Sequence, residues 1–287
     1  MNTRLRADLS LVFVAFVWGA TFVVVKRALD DISTVLFLTV RFSLAALLLA
    51  IYFRRGWMPA RQHLRAGLVV GCCLAVGYVL QTLGLETTTP ANAGFITGFY
   101  IPLVPLLGAL IYRRAPVMAE ALGVLIATLG IGLLTWPEGN MMVRTGDLLV
   151  LAGAVAFAFH ILTLGHFSKT VPHAPLSFTQ IAVSALFGWS TFWWVEPVRV
   201  VWTSAVIVAV VATALFATAL AFAVQSWAQQ HTTTTRTALI FALEPVFAWL
   251  TSYFMTGEVL SLRASFGAVA VLAGILLVEL KPSSSEA

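Results

Sequence analysis

Ten apolar stretches, each close to twenty residues long, follow one another along this chain with only short connections between them. The hydrocarbon core of a bilayer is about 30 Å thick and takes roughly 20 helical residues to cross. Lipid offers no partner to a backbone N–H or C=O, so a succession of such stretches folds as helices that satisfy their own hydrogen bonds. The stretches lie near 8–26, 33–53, 65–85, 91–112, 116–135, 147–168, 174–195, 202–229, 236–256 and 260–280. Charged residues make up only 10% of the chain, against about 25% in a soluble domain. The expected fold class is therefore all-α, a polytopic membrane protein with ten transmembrane helices. No connection has room for a soluble domain, and the tail from Pro282 to Ala287 has the composition of a disordered end.

The first stretch, Leu9 to Val25, follows Arg4 and Arg6 as a secretory leader would. It is longer than a leader's apolar core, ends in Lys26 and Arg27, and precedes nine more spans, so it is expected to stay as the first helix. The net charge of +5 reads as topology, because most Lys and Arg fall in short loops; nucleic acid is not an expected partner. With the N-terminus in the cytoplasm, Arg4, Arg6, Arg54, Arg55, Arg61, Arg65, Arg113, Arg114, Lys169, Arg236 and Lys281 fall inside. Lys26, Arg27, Arg144, Arg199 and Arg263 fall outside, and the bias puts both termini on the cytoplasmic side. Cys72 and Cys73 are neighbours within an apolar run and read as small packing residues, not as a staple.

The ninth stretch, ALIFALEPVFAWLTSYFMTGE from Ala238 to Glu258, carries Glu244 and Pro245 near its middle. A carboxylate at mid-membrane costs about 2.5–3.5 kcal/mol on insertion scales, so it is expected to face the protein interior or a wet cavity. Pro245 frees a backbone carbonyl and kinks the helix, which is tolerable where neighbours or water satisfy that group. Glu244 either titrates and couples proton movement to the solute, or stays paired and fixes the kink. Arg41, within the second span, is the other intramembrane ion. It can neutralise Glu244, bind a substrate carboxylate, or snorkel to the headgroups.

The chain repeats itself. QTLGLETTTP at Gln81–Pro90 aligns with QSWAQQHTTT at Gln225–Thr234 at an offset of 144 (225 minus 81), and Gly123 and Gly130 align with Gly267 and Gly274 at the same offset. Pro102 meets Pro245, and Asp8 meets Asp147 at 139 (147 minus 8). Two domains follow, 1–140 with the first five spans and 141–281 with the second five, ahead of the tail 282–287. Five is odd, so the second copy enters the membrane from the opposite side, giving two inverted five-helix repeats. Such folds place a substrate site near the midplane between the halves and expose it alternately to each side.

Trp18-Gly19 with Lys26 at the end of the first span, the ANAG entry at Ala91–Gly94, the Pro102 span, and LEPVFAWLTSYFMTGE before a glycine-spaced last helix together resemble the EamA family of the drug/metabolite transporter (DMT) superfamily. The resemblance covers nearly the whole chain in both repeats, and within the family it is most similar to the YddG-type exporters of aromatic amino acids. It departs where Arg113-Arg114-Ala115 stand opposite Thr256-Gly257-Glu258, so an acid at that helix junction can act in the second half only. The resemblance implies a basket of ten helices around a central cavity lined by the first, third, fourth, sixth, eighth and ninth spans. The fifth and tenth would be peripheral, with Gly123, Ala127, Ala270 and Gly274 suited to close helix contact.

Candidate cavity residues are aromatic or polar and sit on those spans. They are Trp18; Tyr78 and Gln81, three apart on one face; Asn92, Phe95, Phe99 and Tyr100; Phe159, His160 and Thr163; Gln225, the repeat mate of Gln81; and Glu244. Pro102 and Pro245 are candidate kinks. Flat apolar walls with a few donors and acceptors suit an amphipathic solute. For each residue, packing against a neighbouring helix or lipid is the competing role.

The expected function is export of amino acids, aromatic or hydrophobic ones first, or of similar small metabolites across the bacterial inner membrane by alternating access. A multidrug exporter of the same superfamily is the alternative, and a passive channel or structural subunit the one from a different class. Phosphate esters would call for more inward basic residues than Arg41 alone. No His-Glu-x-x-His, Gly-x-Ser-x-Gly or P-loop pattern is present, so no enzyme, metal or cofactor is expected. The expected partners are a small-molecule solute and the lipid bilayer; the sequence leaves the oligomeric state open.

Overall fold

A computed structural model describes residues 2–54, 61–88, 90–113, 115–135, 144–256 and 261–280. Arg55, Arg114, Gly257-Glu258, Lys281, the tail Pro282–Ala287 and the side chain of Asn92 lie outside the description. The first three spans are unbroken helices, α1 (Thr3–Ala28), α2 (Thr34–Tyr52) and α3 (Arg61–Thr87). The fourth is two helices, α4 (Pro90–Thr97) and α5 (Tyr100–Tyr112), and the fifth is α6 (Met118–Thr135). The sixth and seventh are α7 (Thr145–Phe167) and α8 (His173–Val195). The eighth runs through α9 (Ser204–Ala212), a π-helical segment (Thr213–Leu220) and α10 (Ala221–Ala228). The ninth is α11 (Thr234–Phe241) and α12 (Glu244–Thr256), and the tenth is α13 (Leu262–Leu280).

Among the described residues, six helical stretches have the length and apolarity to cross a membrane, including Ala93–Tyr112 and Ser204–Ala228. The chain is a multi-pass membrane protein. The 23-residue α8 has the length, but it carries Ser177, Thr179, Gln180 and Ser184. These are buried against its neighbours α2 and α3, where protein and not lipid meets the polar groups. Phe13, Phe16, Leu106, Leu110, Leu125 and Leu129 are exposed, the surface that a lipid-facing helix presents.

Local signals start several helices. Thr203 and Thr233 cap α9 and α11 by accepting from the backbone N–H of Val206 and Arg236, satisfying one of the orphan donors of a first turn. Asp147 caps α7 by accepting from the Arg144 N–H at 2.9 Å. Ser33, in the cap position of α2, makes no side-chain cap; Glu196 reaches over from the end of α8 and accepts from Val35 N–H instead. Burial pushes the Glu196 carboxyl above the ordinary range.

The tightest packing is between α6 and α13. A Cβ on Gly130 would stand 2.8 Å from the Gly267 carbonyl, and one on Gly123 would stand 2.7 Å from the Gly274 carbonyl, so backbone rests on backbone. This pair stands to one side, as expected of the fifth and tenth spans. The other close pairs are α3 with α7, α3 with α8, α2 with α8, and α1 with α10, α11 and α12. They leave a cavity between them.

Candidate functional site

Both proline spans break instead of bending. In the ninth, Ala242 and Leu243 form a turn whose N–H groups donate to Leu239 and Ile240 three residues back, at 3.0 and 3.1 Å. A new helix then starts at Glu244, with Pro245 in its first turn, where a missing N–H costs nothing. In the fourth, Phe99 and Ile101 bond back to Ile96 and Gly98 in the same way, at 3.1 and 3.0 Å, and Pro102 is the third residue of α5. The expected kinks are therefore helix ends set at mid-span, and Glu244 sits at a helix N-terminus, where the macrodipole favours negative charge.

Glu244 borders the central cavity. One wall carries Trp18, Thr21 and Phe22 of α1 and Arg41 of α2; another carries Tyr78, Gln81 and Thr82 of α3 with Thr97 and Tyr100. Phe157 and His160 of α7, Phe222 and Gln225 of α10, and Phe241 close it. Among the described residues, α6, α8 and α13 do not border it.

Arg41 is only 4% exposed, which rules out snorkelling. Its Nε donates to Thr218 Oγ1 at 2.7 Å and one Nη to the Ala217 carbonyl at 3.3 Å and the Tyr78 hydroxyl at 3.4 Å. The guanidinium lies 4.8 Å from the Tyr78 ring centroid, a cation–π distance. The π-helical segment makes this possible: its wider turn aims Ala217 O sideways, so that it also accepts from Trp18 Nε1 at 2.9 Å. Such segments occur as local departures from α-helix, often at functional sites. Among the described residues neither Arg41 nor Glu244 forms an ion pair with an opposite charge. The Tyr100 hydroxyl lies within hydrogen-bonding reach of Glu244, and Tyr78 is near enough to feel both charges.

Polar relays brace the walls. His160 Nε2 meets Gln180 Oε1 at 2.9 Å, and Gln180 Nε2 donates to Ser226 Oγ at 2.9 Å, tying α7, α8 and α10 together. Gln81 Nε2 donates to Thr97 Oγ1 at 2.9 Å. Trp18 packs on Phe222 and Phe241 with ring centroids 5.4 and 4.9 Å away, and Phe157 packs on Tyr78 at 5.3 Å.

The structure brings Trp18, Arg41, Tyr78, Gln81, Tyr100, His160, Gln225 and Glu244 to the cavity. Four other expected residues lie elsewhere. Phe95 and Phe99 face a lateral depression beside α6 and α13 instead of the central cavity. Phe159 is 37% exposed on the outside of α7, one residue before the inward-facing His160. Thr163 bonds back to the Phe159 and His160 carbonyls at 2.7 and 3.2 Å. Phe157, Phe222 and Phe241 were missed. For Phe157 and Phe222 the signal lay in helical spacing, since each stands three residues before a polar cavity residue, His160 and Gln225; Phe241 ends α11 ahead of the break, where that spacing gives no guide. Lys26, expected to mark topology, donates instead to the carbonyls of Leu85, Glu86 and Thr88 at 2.5, 3.2 and 3.5 Å, ending α3.

Two polar ties stand at opposite ends. Arg236 Nη2 lies 3.2 Å from Asp8 Oδ2, and Thr232 Oγ1 donates to Asp8 Oδ1 at 3.0 Å. At the far end Thr88 Oγ1 donates to Asp147 Oδ1 at 2.5 Å, and Arg144 donates to the Thr87 carbonyl at 3.3 Å. The cavity runs along α1 from Trp18 to Val25 and along α3 from Leu74 to Leu85, away from Asp8. On the Asp8 side Ala7, Leu11, Val14 and Ala15 are fully buried in a core shared with Ala228, Ala238 and Leu239.

The model of the EamA-like transporter family matches this chain twice, over residues 5–136 and 144–280. An uncharacterized transporter of Archaeoglobus fulgidus is 36% identical over 282 residues, 97% of this chain and 87% of its own. The uncharacterized inner membrane transporter YedA of Escherichia coli is 29% identical over 147 residues, half of this chain and 48% of its own. A solved crystal structure shares the fold at a TM-score of 0.79 over 96% of both chains, with 20% identity. With both halves of the chain matched and a broken-helix cavity between them, this protein is a member of the EamA-like transporter family, within the DMT superfamily.

Proposed function

We propose that this protein exports amino acids, aromatic or hydrophobic ones first, by alternating access through the central cavity. The observation that carries the reading is a separated pair of charges. Arg41 and Glu244 border one aromatic-walled space, and neither is neutralised by the other. A zwitterion answers that arrangement, its carboxylate at the guanidinium and its ammonium at the acid, while its side chain lies on Trp18, Tyr78 and Phe222. A charged group buried without a counter-charge is expensive, and a solute that supplies the missing charge on each side is favoured over one that supplies neither.

Two inverted repeats, 1–140 and 141–281, supply the movement. Several pairings support the reading. The Trp18–Phe222 ring pair and the Phe157–Tyr78 pair are related by the offsets 139 and 144, as are the Asp8–Thr232 and Asp147–Thr88 hydrogen bonds. Both fourth spans, counted within each half, are broken ahead of a proline. Discontinuous helices at corresponding positions of two halves are the mark of such carriers. The excess of Lys and Arg in the loops on the side of the termini supports a cytoplasmic position for both ends, and the likeness to YedA supports the bacterial inner membrane.

The test is uptake and counterflow of radiolabelled amino acids in proteoliposomes, with and without a pH gradient. Saturable movement of phenylalanine or tryptophan that accelerates with unlabelled solute on the far side is expected. A panel in which no amino acid moves while an unrelated drug does would overturn the substrate class; movement that does not saturate would make the protein a channel.

A further inference from the structure

Gln225 carries an oxygen that nothing in the described structure uses. The residue is 1% exposed and borders the cavity, and its Oε1 makes no hydrogen bond within the protein. A buried acceptor left without a donor costs about 1–3 kcal/mol, so such an atom beside a cavity is held ready for a donor from the cavity, a water or a ligand. The other end of the same amide is held in place. Gln225 Nε2 donates to Gln229 Oε1 at 3.1 Å, and Gln229 Nε2 donates to the Ile161 carbonyl at 3.0 Å.

The relay settles which way both amides point. The Ile161 carbonyl can only accept, so the end of Gln229 that faces it is the NH₂. The end of Gln229 that faces Gln225 is then its oxygen, which requires the NH₂ of Gln225. Turning Gln225 over would set two carbonyl oxygens against each other. Gln229 is 2% exposed and its backbone carbonyl accepts from Ser168 Oγ at 3.1 Å, so the anchor is itself held. Sequence spacing explains the geometry: Gln225 and Gln229 are four apart and share one face of α10 and its C-terminal turn.

We propose that Gln225 Oε1 is the acceptor for an N–H of the transported solute, and that Gln229 is a positioning residue that keeps this oxygen, and not the amide NH₂, turned to the solute. The assignment rests on the amino-acid reading and sharpens it: the solute carries a primary ammonium, with N–H bonds to share between Glu244 and Gln225. A quaternary ammonium has the same charge for Glu244 and nothing for Gln225, and is discriminated against.

The experiment compares L-phenylalanine with N,N,N-trimethyl-L-phenylalanine as competitors of labelled phenylalanine counterflow in proteoliposomes. Wild type favours the primary ammonium. Gln225→Leu, close in volume, lowers that ratio by about tenfold, the value of one hydrogen bond to a charged donor. Gln229→Leu lowers it too while Gln225 stays in place. Steric exclusion of the methyl groups or loss of packing alone would leave the ratio as it was in Gln225→Leu. A ratio unmoved in Gln225→Leu with phenylalanine still carried overturns the role of Gln225 and leaves the transport reading standing. A wild type that carries no amino acid overturns the transport reading and this assignment with it.

Discussion

A guanidinium inside a spanning helix has to be satisfied by neighbours, and Arg41 is satisfied by neutral ones: a hydroxyl, a carbonyl and an aromatic face. Among the described residues its charge has no carboxylate against it. Lysine would keep the charge but lose the fork that reaches Thr218 and Ala217 together. Arg41→Lys is therefore expected to raise the KM for phenylalanine about tenfold, and Arg41→Met about a hundredfold, with much smaller effects on phenethylamine, which has no carboxylate. Equal losses for both probes would reduce Arg41 to a strut of the π-helical segment. Glu244→Gln is expected to raise the KM for both probes about tenfold, as loss of a charge-assisted hydrogen bond does; a rate and pH profile identical to wild type would exclude an ammonium contact and a titrating role together. Both intramembrane charges were legible from sequence because each is anomalous in an apolar run. Their surroundings were not, since Thr218 lies 177 positions from Arg41 and no local pattern joins residues that far apart.

Among the elements, the proline spans could be read in advance as irregular, because Pro102 and Pro245 each remove a donor that an unbroken helix needs. That each ends one helix and begins another depends on the neighbour that fits into the gap. Gly19 is that neighbour for the ninth span. A Cβ there would stand 2.5 Å from the Glu244 carbonyl and 2.8 Å from Ala248 N, so α1 lies directly on the first turn of α12. Gly19→Ala is expected to destabilise by about 1–3 kcal/mol, as overpacking does, and to impair transport by displacing Glu244. Gly132→Ala in α6, where the added methyl meets nothing within 4 Å, serves as the comparison and should be neutral or slightly stabilising. A thermal unfolding midpoint that falls equally for both would mean that the close α1–α12 approach is not what the added methyl disturbs, since helix propensity alone favours alanine at both positions. The π-helical segment had no signal: TALFATAL contains no proline or glycine, and its widened turn is selected by Trp18 and Arg41 from other helices.

At the scale of the whole molecule, the repeat was legible because paired residues recur at constant offsets, but the sequence carries nothing about which end of the cavity is shut. The structure is asymmetric in this respect: the cavity extends away from Asp8, and the Asp8 end is filled by Leu11, Val14 and their neighbours. The tie from Asp8 to Arg236 and Thr232 then holds a closed end, while the equivalent tie from Asp147 to Thr88 stands at the end toward which the cavity runs. If the two halves rock as inverted repeats, the ties must open by turns, and weakening one should shift the balance of states by the free energy it contributed. In a background without Cys72 and Cys73, a cysteine replacing the fully buried Leu11 reports on the closed end through its rate of maleimide labelling. Asp8→Asn is expected to speed that labelling about tenfold, corresponding to about 1.4 kcal/mol, because it removes the ion pair between position 8 and Arg236. Asp147→Asn acts on the opposite tie and should leave labelling at position 11 unchanged or slower. Equal acceleration by the two variants would show general loosening of the bundle and remove the case for alternate gates, whereas acceleration by Asp8→Asn alone ties the repeat in the sequence to a division of labour between the two ends of the path.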